Sequence, residues 1–161
     1  MEITVTDIAP DTPEARLALN SYVKLMRAAD SVTARVHRHL QLAGLSVTQF
    51  GVLEALYHLG PLCQRDLGRK LLKSSGNMTL VVDNLEKRGL VERRRDETDR
   101  RFLAVALTGA GEQLMVEIFP RHVAAVVAEF ATLSAEEQRE LARLCRKLGL
   151  RDRPGSQGDQ P

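Results

Sequence analysis

The sequence has no tryptophan, two tyrosines and four phenylalanines, so aromatic side chains make up 4% of its 161 residues. Strand-rich sandwiches draw on aromatic and β-branched residues, and a chain filled instead by Leu, Ala, Val, Glu and Arg argues against one. Cysteine is almost as scarce. Cys63 and Cys145 are the two present and neither belongs to a CxxC pair, which excludes a disulfide framework and a thiolate zinc cluster and leaves reduced thiols as the expectation. No apolar run approaches the ~18 residues that cross a bilayer, and the start, Met1-Glu2-Ile3-Thr4, lacks a basic segment leading into an apolar one. A cytoplasmic protein is expected. No glycine-rich loop follows a strand, no nucleophile stands with a base, and no pair of catalytic carboxylates stands out, so an enzyme is not expected, nor a cofactor.

What is present is an ordinary one-domain composition, 43% hydrophobic and 27% charged, with a net charge of +2. That small number hides an uneven distribution. Between Pro61 and Arg101 there are 11 Lys and Arg against 7 Asp and Glu, a balance of +4, while the rest of the chain holds 12 against 14. A local concentration of positive charge, more than the total, is the electrostatic footprint of a nucleic-acid reader.

Hydrophobic periodicity divides the chain. Residues 1–11 read as a flexible N-terminus. Thr12-Pro13-Glu14 combines an N-cap, a proline at the first helical position and an early acidic residue, and it opens a helix that the spacing of Leu25, Ala29, Val32, Val36 and Leu40 extends to Gly44. At ~30 residues, or ~45 Å, one small globule cannot cover it, and a partner helix is expected. A second helix starts near Ser46 or Thr48, presents Phe50, Leu53, Leu56 and Leu59, and stops at Gly60-Pro61. A short third helix spans Gln64 to Leu71. The fourth runs from about Ser75 to Arg88 with Met78, Val81, Val82 and Leu85 inward, and Gly89 closes it in the left-handed conformation.

After Gly89 the period shortens toward two. Leu90–Arg95 and Phe102–Leu107 read as strands of a hairpin around the charged stretch from Asp96 to Arg101. The expected fold is therefore mainly α, a winged helix-turn-helix over about residues 45–108. Long helices at about 12–43 and 109–150 flank it and serve dimerisation within one domain of residues 12–150. In the C-terminal part, Leu114, Ile118, Val123, Val126, Val127 and Phe130 point to a core, Pro120 should kink or interrupt their helix, and Ser134-Ala135-Glu136-Glu137 caps a last helix carrying Leu141, Leu144 and Leu148. Residues 151–161 read as a disordered tail.

The blocks Gln49-Phe50-Gly51-Val52-Leu53, Asp66-Leu67, Val81-Val82-Asp83-Asn84-Leu85-Glu86-Lys87-Arg88-Gly89-Leu90-Val91, Asp99-Arg100-Arg101 and Leu107-Thr108-Gly109-Ala110-Gly111 in this order resemble the multiple antibiotic resistance regulator (MarR) family. The resemblance spans about Thr12 to Leu148. It implies a homodimer that binds a pseudo-palindromic double-stranded DNA operator and represses transcription until a small molecule or an oxidant loosens it.

The fourth helix is the candidate recognition element, since small and polar groups at a helix N-terminus suit base edges and phosphates. Lys73, Ser74, Ser75, Asn77, Met78 and Thr79 form the expected DNA-facing set there. In the wing, Arg93, Arg94 and Arg95 precede the loop, and Arg95, Asp99, Arg100 and Arg101 are the expected contacts. The resemblance implies that Asp99 orients Arg101 into the minor groove beside a backbone contact from Arg100.

Cys145 falls on the Leu141, Leu144, Leu148 stripe and reads as a small core residue. Cys63 precedes the third helix beside Arg65, which leaves an oxidant-switched repressor as the alternative to a ligand-released one. His37 and His39 face different sides of a helix without a carboxylate cluster, so no metal site is expected, and the four histidines suit an organic-ligand crevice or an interface better. An aromatic or phenolic effector is expected near Arg16, His37, Phe50 and Tyr57.

Overall fold

The computed structural model describes residues 12–71, 73–95 and 103–150. Six α-helices and a small sheet follow in the order α1 (Pro13–Val36), a 3-10 segment (His37–Ala43), α2 (Val47–Leu59), β1 (Leu62–Cys63), α3 (Gln64–Leu71), α4 (Ser75–Lys87), β2 (Val91–Arg95), β3 (Leu103–Leu107), α5 (Gly109–Phe130) and α6 (Ala135–Gly149). Residues 1–11 and 151–161, and the wing tip with Asp99, Arg100 and Arg101, for which the sequence predicts flexible termini and DNA contacts, lie outside the described residues.

Helix starts follow local chemistry. Thr12, Ser46, Ser74, Thr108 and Ser134 all sit in extended backbone and accept an N–H from their own first turn, and Ser46 with Gln49 and Ser134 with Glu137 form reciprocal capping boxes. Gly44 and Gly89 stop the preceding segments at φ of 62° and 70°, a region that costs glycine nothing.

The first long helix is shorter than its spacing predicts. It ends at Val36, and His37 to Ala43 tighten into a 3-10 segment. The imidazoles compete with the helical ladder there: His37 Nδ1 donates to the Thr33 carbonyl at 2.9 Å and His39 Nδ1 to the Val36 carbonyl at 2.8 Å. The sheet also departs from the expected two-stranded hairpin. Among the described residues it has three antiparallel strands in the order β1-β3-β2, because Leu62 pairs with Val105 and Cys63 with Ala104. Two residues are too short a run to show a period of two. Pro120 does not interrupt α5; Val116, whose carbonyl loses its helical partner, is 56% exposed and within reach of water.

The core belongs to the winged unit. Phe50, Val52, Leu53 and Leu56 of α2, Leu67 of α3, Met78, Val82 and Leu85 of α4, Val91 and Val105 of the sheet and Met115 of α5 are buried together. Beyond it the apolar stripes run out of protein. Val123, Val127, Leu144 and Leu148, expected to face a core, are exposed in the single chain, as are Leu17, Tyr22 and Val23 on α1. Helix α6 buries no residue, and Cys145 is exposed, not the core residue its stripe suggests.

Candidate nucleic-acid interface

The stripe of Met78, Val81, Val82 and Leu85 pins α4 to the core and so decides which of its residues face outward. Ser74 caps it, with its hydroxyl 3.4 Å from the Asn77 N–H. The chain before it closes when the Lys73 N–H donates to the Gly68 carbonyl at 2.9 Å. Lys73, Ser74, Asn77 and Thr79 are exposed along this N-terminal edge, where backbone N–H groups and the helix dipole favour anions. Ser75 is the first residue of the helix. Met78 is a correction: at 0% exposure it is a core residue and has no surface to offer a base.

Thr79 Oγ1 accepts a 2.6 Å hydrogen bond from Gln64 Nε2 at the start of α3, which ties the two helices of the motif together. The wing is fastened in the same place. Arg93, one of the three arginines that precede the wing loop, lies partly buried between β2 and α4, with Nη2 2.5 Å from Asp83 Oδ1 and Nη1 2.5 Å from Glu86 Oε2. Its backbone N–H donates to Glu86 Oε1 at 3.0 Å, and Nη2 lies 3.4 Å from Gln64 Oε1. Burial works against its charge, but the hydrogen bonds and fields of the two carboxylates outweigh it and raise the pKa of Arg93. The two acids on α4 that would repel phosphate thereby share one cation. Arg94 and Arg95 are exposed on the same strand.

The expected effector residues do not converge on one spot. Arg16 is in the first turn of α1 and His37 caps its other end, about 31 Å apart at 1.5 Å per residue, so no pocket of one protomer holds both. His37 lines a cleft of about 260 Å³ with Thr33, Leu40 and Val47, whereas Tyr57 lines another of about 350 Å³ with Arg94 and Glu112. Phe50 is buried between the helices. What connects them is a seam of rings that the sequence does not announce. His122 of α5 lies 4.5 Å from Phe50, 5.3 Å from His37 and 5.5 Å from His39, and Phe119 lies 6.4 Å from His122 and 6.0 Å from Tyr57 (centroid distances). Phe119 and His122 are three apart on one face of α5, the only signal that could have placed them together. Burial, then the neighbouring His37 and His39, push the His122 pKa down to about 4. His39 Nε2 and His122 Nδ1 are buried without a hydrogen-bond partner. Among the described residues no group of three or more His, Cys, Asp or Glu side chains is placed to hold a metal ion.

Cys63 is half-buried on β1, and its Sγ donates to Asp66 Oδ2 at 3.0 Å, a bond that uses the thiol and not the thiolate.

Residues 45–102 match the MarR family model. Over the longer span, the chain is 36% identical across 133 residues to the HTH-type transcriptional regulator MhqR of Bacillus subtilis, covering 83% of this chain and 92% of that protein. The chain belongs to the MarR family. It shares its fold with Sco3205, a MarR family transcriptional regulator from Streptomyces coelicolor solved in complex with DNA, at a TM-score of 0.77 and 28% identity, covering 92% of this chain and 94% of that one. CouR from Rhodococcus jostii, solved with p-coumaroyl-CoA, aligns at a TM-score of 0.74 and 25% identity over 80% and 91% of the two chains. The protein is thus a DNA-binding transcriptional regulator of the MarR family with a winged-helix fold, and not an enzyme. No helix among its described residues is long and apolar enough to cross a membrane.

Proposed function

We propose that this MarR regulator is a homodimeric repressor that holds a pseudo-palindromic operator and is released by a small aromatic or phenolic effector. The observation that carries it is the presentation of α4: a capped N-terminal turn with Lys73, Ser74, Asn77 and Thr79 exposed, locked to the basic wing through Gln64 and Arg93. Ser75 belongs to the same turn, and Arg95, Asp99, Arg100 and Arg101 are the further contacts of the reading, with Arg101 entering the flanking minor groove of the DNA. The DNA complex of Sco3205 supports the docking mode. Dimerisation is supported by the exposed apolar residues of α1, α5 and α6, among them Leu17, Tyr22, Val127 and Leu148.

The effector reading rests on the seam between α2 and α5, where rings supply an apolar wall and the unpartnered His39 Nε2 and His122 Nδ1 supply polar handles. CouR, which was solved with an acyl-CoA whose acyl group is a phenol, supports that chemical class.

The test is a salt-titrated binding assay on an operator selected from random duplex DNA, repeated with a panel of phenols, quinones and aromatic carboxylates. Operator binding far tighter than random DNA, released by at least one panel member, is expected. Failure to select any sequence overturns the DNA reading. Release by oxidant alone, reversed by reductant and lost in Cys63→Ser, replaces the effector with a thiol switch.

A further inference from the structure

Leu80 stands out on α4 because it is 60% exposed on a helix whose other leucine, Leu85, is fully buried. A solitary exposed leucine on an ordinary surface needs no explanation; the position of this one does. At 100° per residue Leu80 lies about 200° from Met78 and about 160° from Val82, opposite the buried stripe and in line with Gly76 one turn before it and Lys87 two turns after. Helical side chains lean toward the N-terminus and cover the turn before their own. The turn before Leu80 presents Gly76, where even a Cβ would meet nothing within 4 Å. The leucine therefore projects uncovered over the N-terminal end of α4, between the exposed Asn77 and Thr79. It is the apolar centre of a surface otherwise built of polar and charged groups, including Asp83, which Arg93 holds.

We infer that Leu80 is a specificity-determining residue that packs on the 5-methyl group of a thymine in the major groove. The thymine methyl is the apolar feature the major groove offers a protein, and the exposed Lys73 before α4 and Lys87 at its end complement the phosphates that flank it. The inference rests on the reading above that α4 enters the major groove, and it deepens that reading by naming one feature of the sequence it selects: a thymine in each half-site.

The experiment uses the full chain and an operator selected from random duplexes, with each thymine replaced in turn by deoxyuridine, which lacks only the methyl group. At one thymine per half-site the replacement is expected to weaken wild-type binding several-fold, up to about tenfold. Leu80→Ala should weaken binding to the unmodified operator by a similar factor and become indifferent to deoxyuridine at that position. Its affinity for random DNA, its salt dependence and its melting temperature should match the wild type, since the side chain holds nothing in the fold. A second variant, Leu80→Asn, should shift selection at that base pair away from thymine, toward adenine. If every deoxyuridine effect is the same in wild type and Leu80→Ala, or if Leu80→Ala weakens random and selected DNA alike, the inference is overturned. The two readings fail differently: relaxed selection in Asn77→Ala with no Leu80 coupling removes this inference alone, whereas unchanged selection in both variants removes the recognition role of α4.

Discussion

Arg93 and Gly111 are single residues that each fasten one element to another. Arg93 holds Asp83 and Glu86 of α4, so Arg93→Ala should cost about 1 kcal/mol in denaturant unfolding, the low end for a partly exposed pair. DNA binding should fall more than the loss of one cation predicts, because two carboxylates are left facing phosphate. Adding Asp83→Asn and Glu86→Gln should recover much of that loss; no recovery would show that Arg93 itself touches DNA. Alanine at an ordinary helical glycine stabilises by up to ~1 kcal/mol. At Gly111 a Cβ would stand 2.1 Å from the Leu90 carbonyl oxygen, where the Thr108 N–H and hydroxyl also fasten the start of α5 to Leu90 and Gly89. Gly111→Ala should therefore destabilise by about 1–3 kcal/mol, and a rise in the unfolding midpoint would contradict this packing. Arg101, outside the described residues, is tested by charge alone: Arg101→Ala should weaken binding to all sequences and reduce the log K against log salt slope by about one per lost contact, up to about two for a dimer.

Among the elements, the junction of α1, α2 and α5 is set by histidine. His37 and His39 spend their Nδ1 atoms on backbone carbonyls and turn the end of α1 into a 3-10 segment, and His122 packs against both. Since the His122 pKa is about 4 in the folded protein against an ordinary 6.5, the unfolded chain binds the proton first as pH falls. The stability this neutral ring allows is whole above about pH 6.5 and is lost between there and about pH 4. His122→Phe, which keeps the ring, should flatten the dependence of the unfolding free energy on pH in that window; an unchanged slope would place its origin elsewhere. The same junction reaches α4 through Arg88, whose guanidinium donates to the Gly44 carbonyl at 2.8 Å and the Ala43 carbonyl at 2.9 Å. The end of the 3-10 segment is thus bonded to the end of α4, and Arg35 Nε joins α1 to Glu129 of α5 at 2.8 Å.

For the molecule as a whole, the dimer proposal rests on the apolar faces outside the winged core. Val127 is 63% and Leu148 59% exposed in the single chain, and α6 is held to α5 locally by Gln138 Nε2, which donates to the Phe130 and Leu133 carbonyls. Sedimentation at micromolar concentration should show a dimer, and Val127→Asp with Leu148→Asp should shift it to monomer and lower operator affinity by more than tenfold, since half-sites one DNA turn apart, roughly 34 Å, need two linked reading heads. A wild-type monomer at that concentration, or a monomeric variant with full operator affinity, would sink the dimer proposal.

Elements whose causes are local are legible in the residues alone. Thr12-Pro13, Ser46 with Gln49 and Gly89 mark their boundaries through neighbours three or four residues away, and the stripe of Met78, Val81, Val82 and Leu85 assigns the buried face of α4. Everything joined across long separations needed the tertiary structure. Cys63 pairs with Ala104 over 41 residues, Arg93 finds Asp83 and Glu86 only once the wing folds back on α4, and Phe50, Phe119 and His122 meet only when α5 packs on α2. Met78 and Cys145 show the same division in two side chains. Periodicity puts each on an apolar stripe, but whether that stripe meets protein or water depends on what lies opposite, and neither 3.6-residue spacing nor composition carries that information.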